Sequence, residues 1–351
     1  MMRIVALALA FQLGSFAAEP AAQTPGAAAH GALQVGIRIA DAGDSGSTYR
    51  KFETSLNAAM RSSTRPRDWA LAASALPDPS RTIAAGSAHF DGDLFRAAQA
   101  APSDALVQWL VANYGDTSTP ENLSRRAAAI DALTRIEPDN GAAWMQALAA
   151  GAEARDETAV DDALARMAES RTFNDHFVDV VHAWIDVYDR HPPPAPSPTE
   201  AYDAGFVNAM AKAAATALPA YQFVVLACKP PTSADAGFAR RAPCTAAGRT
   251  MLQRGGTLVA RSIGFAVLRN LDEATDADRA ANRDLAWYRA NILSGTGEEG
   301  DVRNALAHES DWRRMDDEIE VVKSALHRAG LPTGAPEGWE PKPPANAVAK
   351  G

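Results

Sequence analysis

The chain has 351 residues, of which 47% are hydrophobic, 22% charged and only 7% aromatic. This is a globular composition with an alanine-heavy apolar fraction, long enough for one large domain or two ordinary ones; it excludes wholesale disorder and favours closely packed helices over thick β-sandwich cores. Against 34 basic residues stand 43 acidic ones, and the formal charge of -9 weighs against nucleic acid or an anionic membrane as a partner.

Residues 1–17 read as a secretory signal peptide. Arg3 supplies the positive charge, an apolar run extends from Ile4 to Phe11, and Ser15 and Ala17 put small residues where a signal peptidase reads, so cleavage is expected after Ala17. Gln12 and Gly14 interrupt the stretch, which falls short of the roughly 20 apolar residues a membrane span requires. No later segment is apolar enough to cross a bilayer, so the mature chain is expected to have no membrane span and to be periplasmic or secreted. Residues 18–50, rich in Ala, Gly and Ser, read as a flexible leader in which only the alternating run 33–39 is a strand candidate.

From Lys51 the chain is a succession of helical patterns separated by Pro, Gly and Asp turns, which predicts an all-α fold. Residues 51–191 form a helical-repeat region. Its tryptophans, Trp69, Trp109, Trp144 and Trp184, recur 40, 35 and 40 residues apart. A lone helical hairpin cannot bury its apolar stripe, so one bulky anchor per unit predicts hairpins stacked as an irregular α-solenoid. The clearest unit is 137–170, with Pro138 and Asn140 closing the preceding unit, Trp144 on the first helix and Asp156 before the second. It resembles a degenerate tetratricopeptide repeat, although Leu148, Gly151 and Arg155 stand where that family has a glycine, an aromatic and a turn glycine. The resemblance implies a helical-hairpin fold and contact with another protein or peptide. In its order of signal, helical repeats and two-cysteine loop the chain is also similar to exported bacterial proteins.

Five prolines within 192–198 preclude helix and mark a linker. Residues 199–330 then form a second helical region, with helices expected from Thr199 to Leu218, from Cys244 to Leu271 with a break at Gly255-Gly256, around Ala277 to Leu293, and from Asp311 to Arg328. The last carries the seam Trp312, Met315, Ile319, Val322 and Leu326, and its charged outer face suits a solenoid cap. Cys228 and Cys244 lie 16 positions apart and are expected to form a structural disulfide in an oxidising compartment. Residues 331–351 are read as a disordered, proline-rich tail.

Two constellations could carry chemistry. Asp175, Asp179, His182 and Asp186 step by four, three and four, and fall on one face of a helix spanning 174–191. An amphipathic helix shows such a row to water, and the row is a candidate partner-binding face, with too few ligands for a metal. The second is Gly43-Asp44-Ser45 after the 33–39 run, which resembles the opening of the GDS-type lipase and esterase family, with Asp179-Val-Val-His182 spelling its later acid and base. That family's oxyanion block and its alternation of strands and helices are missing. The expectation is a protein-binding or scaffold module with no catalytic residue, no cofactor and no nucleic-acid partner; the alternative is a serine esterase using Ser45 and His182.

Overall fold

The computed structural model describes residues 43–74, 83–115, 117–194, 204–216, 221–230, 238–293 and 309–341. The expected signal peptide, the 33–39 run, most of the leader, part of the proline-rich linker and the last residues of the tail lie outside the described residues. The fold is all-α. Among the described residues there are fifteen helices and no strand, only two isolated parallel bridges, Asn140 with Thr172 and Phe173 with Gly255.

In chain order the helices are α1 (Gly43–Ser62), α2 (Pro66–Ser74), α3 (Ile83–Ala100), α4 (Ala105–Tyr114), α5 (Pro120–Ile136), α6 (Gly141–Ala154), α7 (Glu157–Glu169) and α8 (Phe177–Arg190). They continue with α9 (Ala204–Thr216), α10 (Tyr221–Ala227), α11 (Arg241–Arg254), α12 (Leu258–Asn270), α13 (Asp276–Leu293), α14 (Glu309–Trp312) and α15 (Glu318–Arg328). Side-chain caps set six of the starts. Asp104, Thr119, Asn140, Asp156, Thr257 and Asp317 each accept from a backbone N–H of the first turn, and Pro120 opens α5 without losing a hydrogen bond. Each cap contributes about 1 kcal/mol.

Neighbouring helices pair as hairpins, α2 with α3, α4 with α5, α6 with α7 and α11 with α12. Of the four tryptophan anchors, Trp109 and Trp184 are fully buried and Trp69 nearly so, whereas Trp144 is half-buried and donates through Nε1 to the Pro138 carbonyl. Helices far apart in sequence also meet: α7 packs on α11, α6 on α10, α2 on α8, and α8 on α14. These contacts depart from a solenoid in which each repeat touches only its neighbours.

Four boundaries differ from the sequence expectation. Helix α1 begins at Gly43, inside the expected leader, because Phe52, Leu56 and Met60 give it an apolar edge that packs into the first core. The linker at 192–198 is not a boundary between two cores, since α8 packs against α9 across it. One core joins α1–α4 to α8, α9, Trp312 and Val321, a second joins α6 and α7 to α10–α12, and a third joins α11–α13 to α15. The expected helix from Asp311 to Arg328 is two helices, because Asp317 caps a new start; Trp312 and Met315 face the first core while Ile319, Val322 and Leu326 face the third. Finally, residues 331–341 of the expected tail lie against α13 through two side-chain bonds to their carbonyls and a tryptophan pair.

Candidate functional site

The loop leading into α8 and the first turns of that helix gather a dense group of bonded polar side chains. Asn140 organises the loop. Its side chain accepts from Ala142 N and Asn174 N and donates to Glu137 and to the Asn174 carbonyl, which ties the start of α6 to the residues before α8. His176, 2% exposed, follows with φ of 59°, a left-handed conformation that costs a non-glycine residue on the order of 1 kcal/mol. The Asn174 side chain, accepting from His176 N at 2.9 Å, holds that turn.

The strained turn aims both ring nitrogens of His176 at carboxylates, Nδ1 at Asp179 Oδ2 (2.7 Å) and Nε2 at Glu137 Oε2 (3.1 Å). Both can donate only from the imidazolium. Burial alone lowers the His176 pKa, but the two carboxylate hydrogen bonds and charges outweigh it and raise it to about 9. Burial likewise pushes Glu137 and Asp179 up, and their bonds with His176 bring both below the usual carboxylate range. The Trp109 ring lies 5.6 Å from the His176 ring, so the cation also faces an aromatic surface.

One residue earlier, Asp175 points the other way. Its Oδ2 accepts from Tyr221 Oη at 2.5 Å and from Thr257 Oγ1 at 2.6 Å, joining the loop to α10 and to the cap of α12. Burial raises the Asp175 pKa despite these bonds and holds Tyr221 well above its ordinary value. Glu318, at the start of α15, completes the junction: its carboxylate accepts from Leu258 N at 2.8 Å and its own N–H donates to the Gly256 carbonyl at 2.9 Å. Burial, with the charges of Asp175 and Asp317 nearby, raises the Glu318 pKa to about 7.

The expected acidic row therefore does not form one solvated face. Asp175 precedes α8 and is 3% exposed, Asp179 is bound to His176 and Asn174, and His182 Nε2 contacts the Trp312 carbonyl. Asp186 faces water and pairs there with Arg65 and Arg190, and Asp179 is partly exposed. Helical spacing placed these residues correctly from Asp179 onward; it failed at Asp175 because the helix starts at Phe177, two residues after it. Among the described residues no group of three or more His, Cys, Asp or Glu side chains is placed to share a metal ion. Of the GDS-type residues, Gly43-Asp44-Ser45 begins helix α1 and Asp179 is bonded to His176. The side chain of Ser45 lies outside the described residues.

Sequence reasoning missed His176, Glu137, Tyr221, Thr257 and Glu318, which come from five separate segments. The available signal was the polar string Asn174-Asp175-His176 immediately before an apolar helix, a pattern that marks a bonded helix start.

Comparisons with protein-family models, with curated proteins and with solved structures give no match to this chain. Cys228, just beyond α10, and Cys244, in the first turns of α11, are joined by a disulfide with the Cα atoms 5.5 Å apart, as the spacing predicts. No helix among the described residues is long and apolar enough to cross a membrane. Surface hollows among the described residues include two next to these helices. One, of about 200 Å³, lies beside Tyr188, Pro192 and Phe206 and is edged by Arg313, which pairs with Asp189 and Glu309. The other, of about 440 Å³, runs between α12, α13 and α15 past Arg261, Leu285, Tyr288 and Lys323 to Thr333 and Gly334.

Proposed function

We propose that the protein is an exported helical module that binds another protein or peptide in the periplasm or outside the cell. The observation that carries this reading is the fate of the α8 polar side chains: the residues best suited to chemistry hold helices to one another. Asn174 and Asp175 tie α8 to α6, α10 and α12, His182 ties it to the α14 end, and Arg190 ties it to α2. Such a hub fixes a rigid framework, which is what a binding surface needs to limit its ordering cost.

The disulfide and the apolar, singly charged N-terminal stretch support export. The 137–170 hairpin supports a degenerate tetratricopeptide-like relationship. Asn140 and Asp156 cap its two helices, and Arg155, with φ of 57°, holds the left-handed turn where that family has glycine. A Cβ on Gly151 would lie 3.2 Å from the Ala159 Cβ and from Val160 N, so the two helices approach too closely for the aromatic that the family places there.

Fractionation of cells producing the full precursor, with pull-down from the periplasmic extract, tests the reading. A processed protein in that fraction, co-purifying in defined proportion with one partner, is the expected result. Retention of the whole chain in the cytoplasm, or covalent fluorophosphonate modification of Ser45, overturns it; the second result moves the protein to the serine esterase alternative with His182.

A further inference from the structure

Asp284, Trp287 and Tyr288 occupy positions i, i+3 and i+4 of α13 and so share one face. After α15 the chain turns at Gly330, with φ of 71°, and residues 331–341 lie across that face as a non-helical strap bearing Pro332, Pro336 and Pro341. Trp287 Nε1 donates to the Pro332 carbonyl at 2.9 Å and Tyr288 Oη to the Thr333 carbonyl at 2.9 Å. Asp284 Oδ1 accepts from Ala335 N at 2.8 Å, and the Trp339 ring meets the Trp287 ring edge-on at 5.4 Å.

Each of these three hydrogen bonds between α13 and the strap uses strap backbone. Besides Leu331, which packs on the core around Leu285 and Tyr288, the strap brings the Trp339 ring to this face. The strap bends at Thr333-Gly334 and turns at Glu337-Gly338, where Trp339 N donates to the Pro336 carbonyl at 3.1 Å, so the carbonyls left for α13 are those of Pro332 and Thr333. Donors carried on flat apolar rings are the combination that reads proline-bearing backbone in peptide-binding grooves. The strap is shallowly seated: Pro332, Thr333, Glu337 and Gly338 are exposed. The 440 Å³ groove continues beyond Thr333 and Gly334 past Arg261 and Lys323, which leaves room for a longer segment than the strap supplies.

We infer that the Asp284–Trp287–Tyr288 face of α13 is a docking site for proline-bearing, non-helical segments of a partner protein, closed in cis by the chain's own strap. The tether gives the strap an effective concentration on the order of millimolar, so the intact chain holds the site shut against weak ligands and opens it to a longer segment that also fills the groove. This inference rests on the reading of the protein as a binding module and names the surface and class of partner.

The test uses the full chain carrying Trp339→Ala and Gly334→Val. The first change removes the ring contact, and the second places a side chain where a Cβ already comes 3.3 Å from Asp284 Oδ1, so both weaken the strap and leave α13 unchanged. Hydrogen exchange at the Ala335 amide reports release. The probe is a fluorescent synthetic peptide of residues 331–341, followed by anisotropy. The released variant is expected to bind it about 100-fold more tightly than the intact chain, and Trp287→Ala in the released background to weaken binding at least about tenfold. Continued protection of the Ala335 amide makes the strap an integral part of the fold and overturns the proposal. Release without peptide binding, or binding indifferent to Trp287→Ala, overturns it equally. A strap-exchanged dimer in sedimentation assigns the face to a second copy of the chain and excludes the partner named above. Failure in any of these ways closes this groove alone and leaves export and partner capture to be decided by fractionation and pull-down.

Discussion

Asp68 and Arg190, 122 positions apart, meet as a two-pronged ion pair, with Nη1 to Oδ2 at 3.0 Å and Nη2 to Oδ1 at 2.7 Å. Asp68 is 2% exposed and its Oδ2 also accepts from Ser63 Oγ at 2.7 Å, so the carboxylate is fully engaged at the point where α2 crosses α8. Removing Asp68 leaves Arg190 with only the exposed Asp186 and strips a buried partner from the crossing. Asp68→Ala should destabilise by about 3 kcal/mol, whereas Asp186→Ala, which removes an exposed partner of the same arginine, should cost under about 1 kcal/mol. Urea unfolding of the two variants checks the contrast; equal losses would show that the buried pair holds nothing together.

His176 makes stability fall on the alkaline side. Its pKa is raised from 6.5 to about 9 in the folded chain, so its contribution is fully present below 6.5 and is lost as pH rises through 9. His176→Gln should lower stability by on the order of 3 kcal/mol at pH 6, and the gap between variant and parent should close above pH 9. Glu137 and Asp179 act with the opposite sign, their lowered pKa values giving stability that is lost as pH falls through the acid range. Thermal melts of parent and variant from pH 5 to 10 measure this. A gap that stays constant across the range would mean that His176 is neutral in the fold.

Local chemistry was readable in the sequence and long-range assembly was not. The Asn140 and Asp156 caps, the Gly255-Gly256 break and the buried Trp109 and Trp184 follow from turn chemistry and helical periodicity. Periodicity is blind to which helices meet. It assigned Trp312 and Ile319 to one seam although an aspartate cap sends them to different cores, and it put a domain boundary at prolines that merely connect α8 to its packing partner α9. Asp175 looked like part of a surface row because its partners, Tyr221 and Thr257, lie 46 and 82 residues away. The strap was read as disordered from its proline content, while what orders it is two donors and one ring on α13.

Glu318 should make the junction of α12 and α15 tighter in acid. Its pKa is raised from 4.5 to about 7, so between those values the folded chain holds a proton that the unfolded chain has lost, and stability declines as pH rises through that window and levels above it. Gln keeps the acceptor for Leu258 N and removes the charge beside Asp175. Glu318→Gln should therefore raise stability by on the order of 2 kcal/mol at pH 8 and leave it unchanged near pH 4. Chemical denaturation at the two pH values decides; a variant weakened at pH 8 would show that the carboxylate charge is welcome there.

Gly264 and Gly256 form a matched pair of backbone probes. A Cβ on Gly264 would stand 2.5 Å from Leu252 N and 2.6 Å from the Gly248 carbonyl, both on α11, so α11 and α12 touch backbone to backbone at that level. A Cβ on Gly256 meets nothing within 4 Å. Gly264→Ala should lower stability by about 3 kcal/mol through separation of the two helices, with Gly256→Ala within about 0.5 kcal/mol of the parent. Calorimetric Tm values test the pair, and a tolerated alanine at 264 would contradict the close approach.

The Cys228–Cys244 bond joins the end of α10 to the start of α11 and should act on the unfolded chain more than on the folded one. Its sequence separation is 16. Closing a loop of that size removes unfolded-state entropy worth about 3 kcal/mol in the chain-entropy treatment. In the folded chain the two segments are held independently, since Tyr221 bonds to Asp175 and Val224, Ala247 and Met251 share the second core. Replacing both cysteines by serine should therefore lower the unfolding free energy by about that amount while circular dichroism shows nearly unchanged helix content. Mass spectrometry of the purified protein without reductant checks the premise: a mass about 2 Da below that of the free dithiol is expected, a difference of two hydrogens. Two free thiols would remove both the staple and the main structural support for an oxidising compartment.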